Sequence, residues 1–362
     1  MISNKYSNYT LFGIKSETER YIWAAWLIFV FICSTVGDIV ILVASIKYNA
    51  FKLHNLMVAF IQHIAVCDLL LSARILCRIA ALIIDTRKEF CYSFYFEYYI
   101  IFVNIFLICG MTSSKLFLMT NSLNTRPLPK KQAHKICFSI WLVTLIHPSI
   151  HFLVDVTDVY WDYRTYSCFY AYSSENGPFF KAVNFVLFGG VPNLTVIVIS
   201  IYLIKLLLEA RKVSHQTRGR VRWQGIATVL TVAIVYTISI LPICVTHLIE
   251  MYVKKEHEML HTYFLRVTLT LFYLNLVSNF IIYYFTVKSF RSFLQTKIRQ
   301  IRLKISRLTT SIGMILRKPF SIFVVCLRSD CIIEEIIIWG CSLAKKLIRH
   351  GSANEKEQRM DF

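Results

Sequence analysis

Seven apolar segments divide the chain, at about residues 21–46, 55–84, 92–120, 134–154, 178–209, 223–251 and 262–287. A helix rises about 1.5 Å per residue, so roughly 20 apolar residues cross the hydrocarbon core of a bilayer. Lipid offers no water to satisfy peptide groups, so each segment is predicted to be a helix. The expected fold is therefore all-α, a seven-transmembrane helix bundle, and an odd number of crossings places the two termini on opposite sides. Composition agrees: 56% of residues are hydrophobic and 17% charged, where soluble domains carry about 25% charged residues. The formal net charge of +19 could suggest nucleic acid. The apolar segments leave no soluble basic domain to bind it, so no nucleic-acid partner is expected. Membrane lipids are the expected partner of the basic residues that follow the last segment.

Loop charge sets the orientation. Lys47 and Lys52 follow the first segment, and Arg126, Lys130, Lys131 and Lys135 follow the third. Arg211, Lys212, Arg218, Arg220 and Arg222 follow the fifth, and a basic tail follows the seventh. The alternate loops mix signs, as in "DTRKE" and "EMYVKKEHE". The N-terminus is thus expected outside the cell, with the chain in the plasma membrane. The predicted organisation is an extracellular N-terminus over 1–20, the bundle over 21–287, a short amphipathic helix on the cytosolic membrane face over 288–303, and a cytoplasmic tail over 304–362. The apolar runs of residues 312–348 are too short, or too interrupted by charge, to span. Asn8, in "NYT", is a glycosylation acceptor in an extracellular N-terminus. A second sequon at Asn193 falls inside the fifth segment and is discounted. Most of the 11 cysteines sit within apolar segments as small hydrophobes. Cys91 and Cys168 instead lie beside polar extracellular stretches, where a disulfide can persist.

Polar residues inside the apolar segments need a reason, since such groups face a bundle interior and mark function. Asp38 lies in "GDIVIL", Asp68 in "IAVCDLL", and Asn279 in "LNLVSNFIIYYFTVKSFR". An acid on the second helix and an amide on the seventh can share a sodium ion or a water network. Trp141 lies in "SIWLVTLIHP", and Pro192 and Pro242 interrupt the fifth and sixth segments.

In the order and spacing of these motifs, residues 21–303 resemble the rhodopsin-like family of G-protein-coupled receptors. The resemblance implies that Asp68 is the helix-2 aspartate and that Asp38 stands where the family has asparagine. It pairs Cys91 with Cys168 in a disulfide. It makes Asp38, Asp68 and Asn279 one polar network able to hold an allosteric sodium ion. It makes Pro242 a hinge and Tyr283 a movable switch in an NPxxY-like motif, with Phe280 in place of proline. It gives contacts with a heterotrimeric G protein to Lys130, Lys131, Arg218, Arg220 and Arg222. Two departures stand out. The Asp-Arg-Tyr motif at the base of helix 3 is absent; either "KLF", from Lys115, or "MTN" takes its place. Ile240 replaces the helix-6 tryptophan of CWxP, giving "SILP".

Arg74 and Arg78 lie on nearly one face of the outer half of helix 2. They either extend to the headgroups or line a ligand cavity. In the second case Arg78 pairs with an acidic ligand or with Glu97, since a planar guanidinium holds two carboxylate oxygens. Tyr98 follows Glu97 where the family's amine receptors hold their aspartate, which disfavours a monoamine. With Arg266 and many aromatics at the cavity mouth, a peptide is the favoured extracellular ligand and a lipid or other chemosensory ligand the next. Helix 7 has no lysine between His261 and Val287, so no retinal Schiff base is expected. No Cys/His spacing suggests zinc, and no catalytic pair or nucleophile elbow suggests an enzyme. The expected function is ligand-driven activation of a G protein through movement of helix 6. The alternatives are a non-coupling scavenger of the same fold and, on the thin support of "FGGVP" at 188–192, a small transporter.

Overall fold

The computed structural model describes residues 17–51, 53–84, 94–120, 128–146, 156–162, 167–172, 183, 185–213, 219–249 and 258–315. Helix α1 spans Glu17–Ile46, α2 Asn55–Ile84, α3 Phe94–Thr120 and α4 Lys130–Thr144. A π-helical turn over Phe185–Gly190 leads into α5, Val191–Val213. Pro192 follows this turn directly, within a continuous helical stretch, where its missing N–H frees a carbonyl of the preceding turn. Helix α6 spans Gly219–Ile249 with Pro242 inside it, α7 Glu258–Thr286 and α8 Lys288–Ile315. Among the described residues, five helices contain stretches long and apolar enough to cross a membrane, in α1, α2, α3, α6 and α7, and α5 has a shorter apolar stretch over Val191–Leu206.

The chain divides into two units, Met1–Thr296 and Lys297–Phe362. In the first, α1 packs on α2 and α7, α2 on α3 and α4, α3 on α4, α5 and α6, and α6 on α5 and α7. This bundle is apolar on the outside and polar at places within. Ile28, Ile32, Val36, Ile39 and Val43 form an exposed stripe along α1, and Leu194, Val198 and Ile201 one along α5. Ser34, Asp38, Asp68, Ser72, Asn104 and Asn279 are buried. Water would disfavour such stripes, whereas lipid solvates them, so the pattern belongs to a membrane-embedded bundle.

Two features extend what the sequence predicted. Outside the bundle, β1 (Val156–Asp162) pairs antiparallel with β2 (Ser167–Tyr172), Trp161 facing Cys168 in register. Both strands are rich in the β-branched and aromatic residues that suit a pleated surface. Helix α8 also runs past 303 to Ile315. No proline or glycine interrupts the sequence from Lys288 to Ile312, so nothing local ends the helix earlier. Within the second unit its residues Ile298, Ile301 and Ile305 are exposed at helical spacing among Arg299, Arg302 and Lys304, the amphipathic pattern of an interfacial helix.

Candidate functional site

The centre of the bundle is a polar network built on Asp68, which is fully buried. Asn279 on α7 donates from Nδ2 to its Oδ2 at 2.5 Å, and Asn104 on α3 donates from Nδ2 to its Oδ1 at 2.9 Å. One carboxylate therefore ties three helices together, with both oxygens engaged by amides. Asp38 hangs on α1 beside this centre. Ser34, one turn away, donates to Asp38 Oδ2 at 3.0 Å, and its Oγ lies 2.7 Å from Ser72 Oγ on α2. Ser72 is one turn from Asp68, so the two acids belong to one continuous patch. Asn104 Oδ1 and the hydroxyls of Tyr236 and Tyr283 are buried without a hydrogen-bond partner among the described residues.

Toward the C-terminal end of α2 lies a second charged cluster. Arg74 and Arg78, four residues apart on α2, share a face, and Glu97 on α3 meets that face. Arg78 Nη2 donates to both Glu97 oxygens, at 2.7 and 2.9 Å. Arg78 Nη1 donates to the Tyr273 hydroxyl on α7. Arg74 Nε lies 3.4 Å from Glu97 Oε2. Arg74, Arg78 and Glu97 are 5%, 4% and 4% exposed. These arginines do not extend to the headgroups; two cations and one anion are held inside the bundle. A charge removed from water is tolerated only when it is paired in this way.

At the other end of the bundle, rings close around a buried tyrosine of α7. Tyr283 meets Phe51 edge-on at 5.7 Å between centroids, and Phe51 stacks on Phe290 of α8 at 4.8 Å. Lys115, the first residue of "KLF" on α3, reaches α6: a Cβ added at Gly225 would lie 3.0 Å from its Nζ. Ile240 is buried on α6, two residues before the half-buried Pro242.

Residues 37–283 match the family described as 7 transmembrane receptor (rhodopsin family). The chain belongs to this family. No curated protein matches it. The receptor is thus a multi-pass membrane protein of a family of receptors, not of enzymes.

Within the receptor, the structure brings Asp68 and Asn279 into contact and places Arg78 on Glu97. Arg266 lies two turns before Tyr273 on α7, half-buried. Lys131 is exposed at the start of α4, while Lys130 beside it lines a cavity with α1 and α2. Arg220 and Arg222 fall in the first turn of α6. Asn8, Cys91 and Arg218 lie outside the described residues, as do the side chains of Tyr98 and Cys168. Asn193 is buried in α5 and donates to Gly189 O at 2.7 Å, so that sequon is occupied by packing. Sequence reasoning missed Asn104, Tyr273, Tyr236 and His63. His63 on α2 accepts the Trp141 indole N–H at 3.1 Å. None of the four sits in a motif, and only contact between helices distinguishes them from packing residues.

Proposed function

We propose that the receptor binds an extracellular ligand, a peptide by preference, at its outer charged cluster and activates a heterotrimeric G protein from its cytosolic end. The observation that carries this is the Glu97 carboxylate held between Arg74 and Arg78 with Tyr273 closing the pair. The cluster joins α2, α3 and α7. A peptide carboxylate is chemically equivalent to Glu97, so it competes for the same guanidinium. A ligand shifts the receptor only by binding one arrangement better than the other, and a competing carboxylate does so by releasing α3 from α2. Arg266 and Tyr98 are the residues we assign to the rest of the ligand.

The response passes inward through Asp68 and outward at α6. A proline in a helix interior removes one backbone hydrogen bond and bends the helix, so α6 can swing about Pro242. Tyr283 has a buried hydroxyl without a partner among the described residues, which costs about 1–3 kcal/mol and favours any arrangement that supplies one. Lys131, Arg218 and the α6 arginines Arg220 and Arg222 then meet the G protein. A sodium ion suits the same network, where Asp68, Asn104 Oδ1 and Asp38 would hold it and its charge would favour the resting arrangement. We assign the N-terminus to the outside, with Asn8 glycosylated and Cys91 bonded to Cys168.

The test is nucleotide exchange by several G proteins in cells expressing the full chain and exposed to a peptide library. At least one peptide should drive exchange, with potency falling about tenfold or more in Arg78→Gln. A response indifferent to Arg78 contradicts the assigned site. The missing helix-3 arginine favours a second reading, a receptor that binds and internalises ligand without coupling. Specific peptide binding with no exchange by any G protein would establish it.

A further inference from the structure

At the end of the bundle that loop charge assigns to the cytosol, a cavity of about 300 Å³ opens between α1, α2 and α4. Ser45 and Ile46 of α1, Asn55 and Gln62 of α2, and Lys130 and His134 of α4 line it, and no acid is among its lining residues. Ile46 is 70% exposed, and Phe138, one turn from His134 on α4, is exposed as well. The cavity therefore lies where the apolar belt of the bundle meets its basic rim.

The hydrogen-bond polarity of this cavity is set from behind. Trp141 has only a donor to offer, and it gives it to His63 Nδ1 at 3.1 Å. Neutral His63 must then carry its proton on Nε2, which lies 3.2 Å from His134 Nδ1. His134 accepts there, so its own proton is on Nε2. The indole thus fixes two imidazoles in series and leaves His134 as a donor at the cavity wall. Elsewhere the lining groups also have donors in excess. Asn55 uses Nδ2 on Leu128 O at 2.9 Å, but the Lys130 ammonium brings three donors and the Gln62 amide two. A cation, an imidazole N–H and an amide, with no acid beside them, complement an oxyanion.

We propose that this cavity is a binding site for the phosphate headgroup of an anionic phospholipid of the cytosolic leaflet. The exposed Ile46 and Phe138 give its acyl chains a surface that a soluble anion has no use for. The absence of an acid among the lining residues gives the site nothing to pair with the choline of a zwitterionic lipid. The charge of the surface also raises the local concentration of anionic lipid, so site binding has to be separated from that general attraction.

The experiment is native mass spectrometry of the full chain, titrated with equal amounts of phosphatidylserine and phosphatidylcholine of matched acyl chains. Phosphatidylserine adducts should predominate. Lys130→Gln and His134→Ala should each lower that preference, Lys130→Gln by about tenfold. Lys205→Gln, which removes the same charge from the exposed face of α5, should leave it unchanged. Free O-phosphoserine at the same concentration should not displace the lipid. An equal fall in Lys205→Gln, a preference untouched by Lys130→Gln or His134→Ala, or displacement by O-phosphoserine each overturns the proposal. Lys130 and His134 are both exposed on α4, and a melting temperature in phosphatidylcholine alone confirms that each variant is folded.

Discussion

Phe280 stands where the family's helix-7 motif has proline, and α1 makes room for it with Gly37. A Cβ added at Gly37 would come within 2.9 Å of Phe280 Cβ. Gly37→Ala should therefore cost about 1–3 kcal/mol by overpacking, seen as a lower melting temperature of the purified receptor. Phe280→Ala keeps the Cβ that makes this contact and removes only the ring atoms from 3.3 Å outward, so the double variant should keep most of that cost. His54 makes a second residue-scale case. It lies in the turn before α2, where its Nδ1 accepts the Leu56 N–H at 3.4 Å. Burial, and then the Lys115 charge, hold its pKa below the ordinary value of 6.5. An unfolded chain binds the proton more readily than the folded one, so stability rises with pH through this window. It should fall as the pH drops below about 6.5, and His54→Gln should flatten that part of the profile. For the polar network, sodium should raise the melting temperature over the same concentration of a bulky organic cation, and Asp68→Asn should abolish the difference. Of these residues the sequence marked Asp68 and Asn279, because each sits in a motif. Gly37 stood in its motif without a visible task, since that task is set by a ring on α7.

At the scale of elements, α7 has no interior proline and runs unbroken over Glu258–Thr286. Bending is left to α6, where Pro242 lies inside the helix. Pro242→Ala restores the N–H that residue 242 owes its helix, so it should stabilise the receptor by up to about 3 kcal/mol while lowering nucleotide exchange. A loss of stability together with full exchange would remove the hinge. The apolar segments gave the helices well, α2 at both ends, because hydrophobic length is a strong signal. The length of α8 was less legible, since a basic amphipathic stretch without glycine or proline carries no stop signal. The β1–β2 pair was illegible because hydropathy of spanning length says nothing about a loop between two spans.

For the whole molecule, the sign of each loop predicts an outside N-terminus. Epitope tags on intact cells should be accessible at the N-terminus and hidden at the C-terminus. The same reading makes Arg78 and Glu97 the contact that a ligand breaks. The sequence offered their pairing as one option beside extension to the headgroups or an acidic ligand, and the fold selects it and adds Tyr273. The most direct measurement of this account is basal guanine-nucleotide exchange by G proteins reconstituted with the full chain in vesicles, wild type against Glu97→Gln. The substitution keeps a carbonyl oxygen for Arg78 and removes the charge that a ligand would have to displace. The account predicts exchange several-fold above wild type. Exchange equal to that of receptor-free vesicles in both proteins, each shown to be folded, would contradict it.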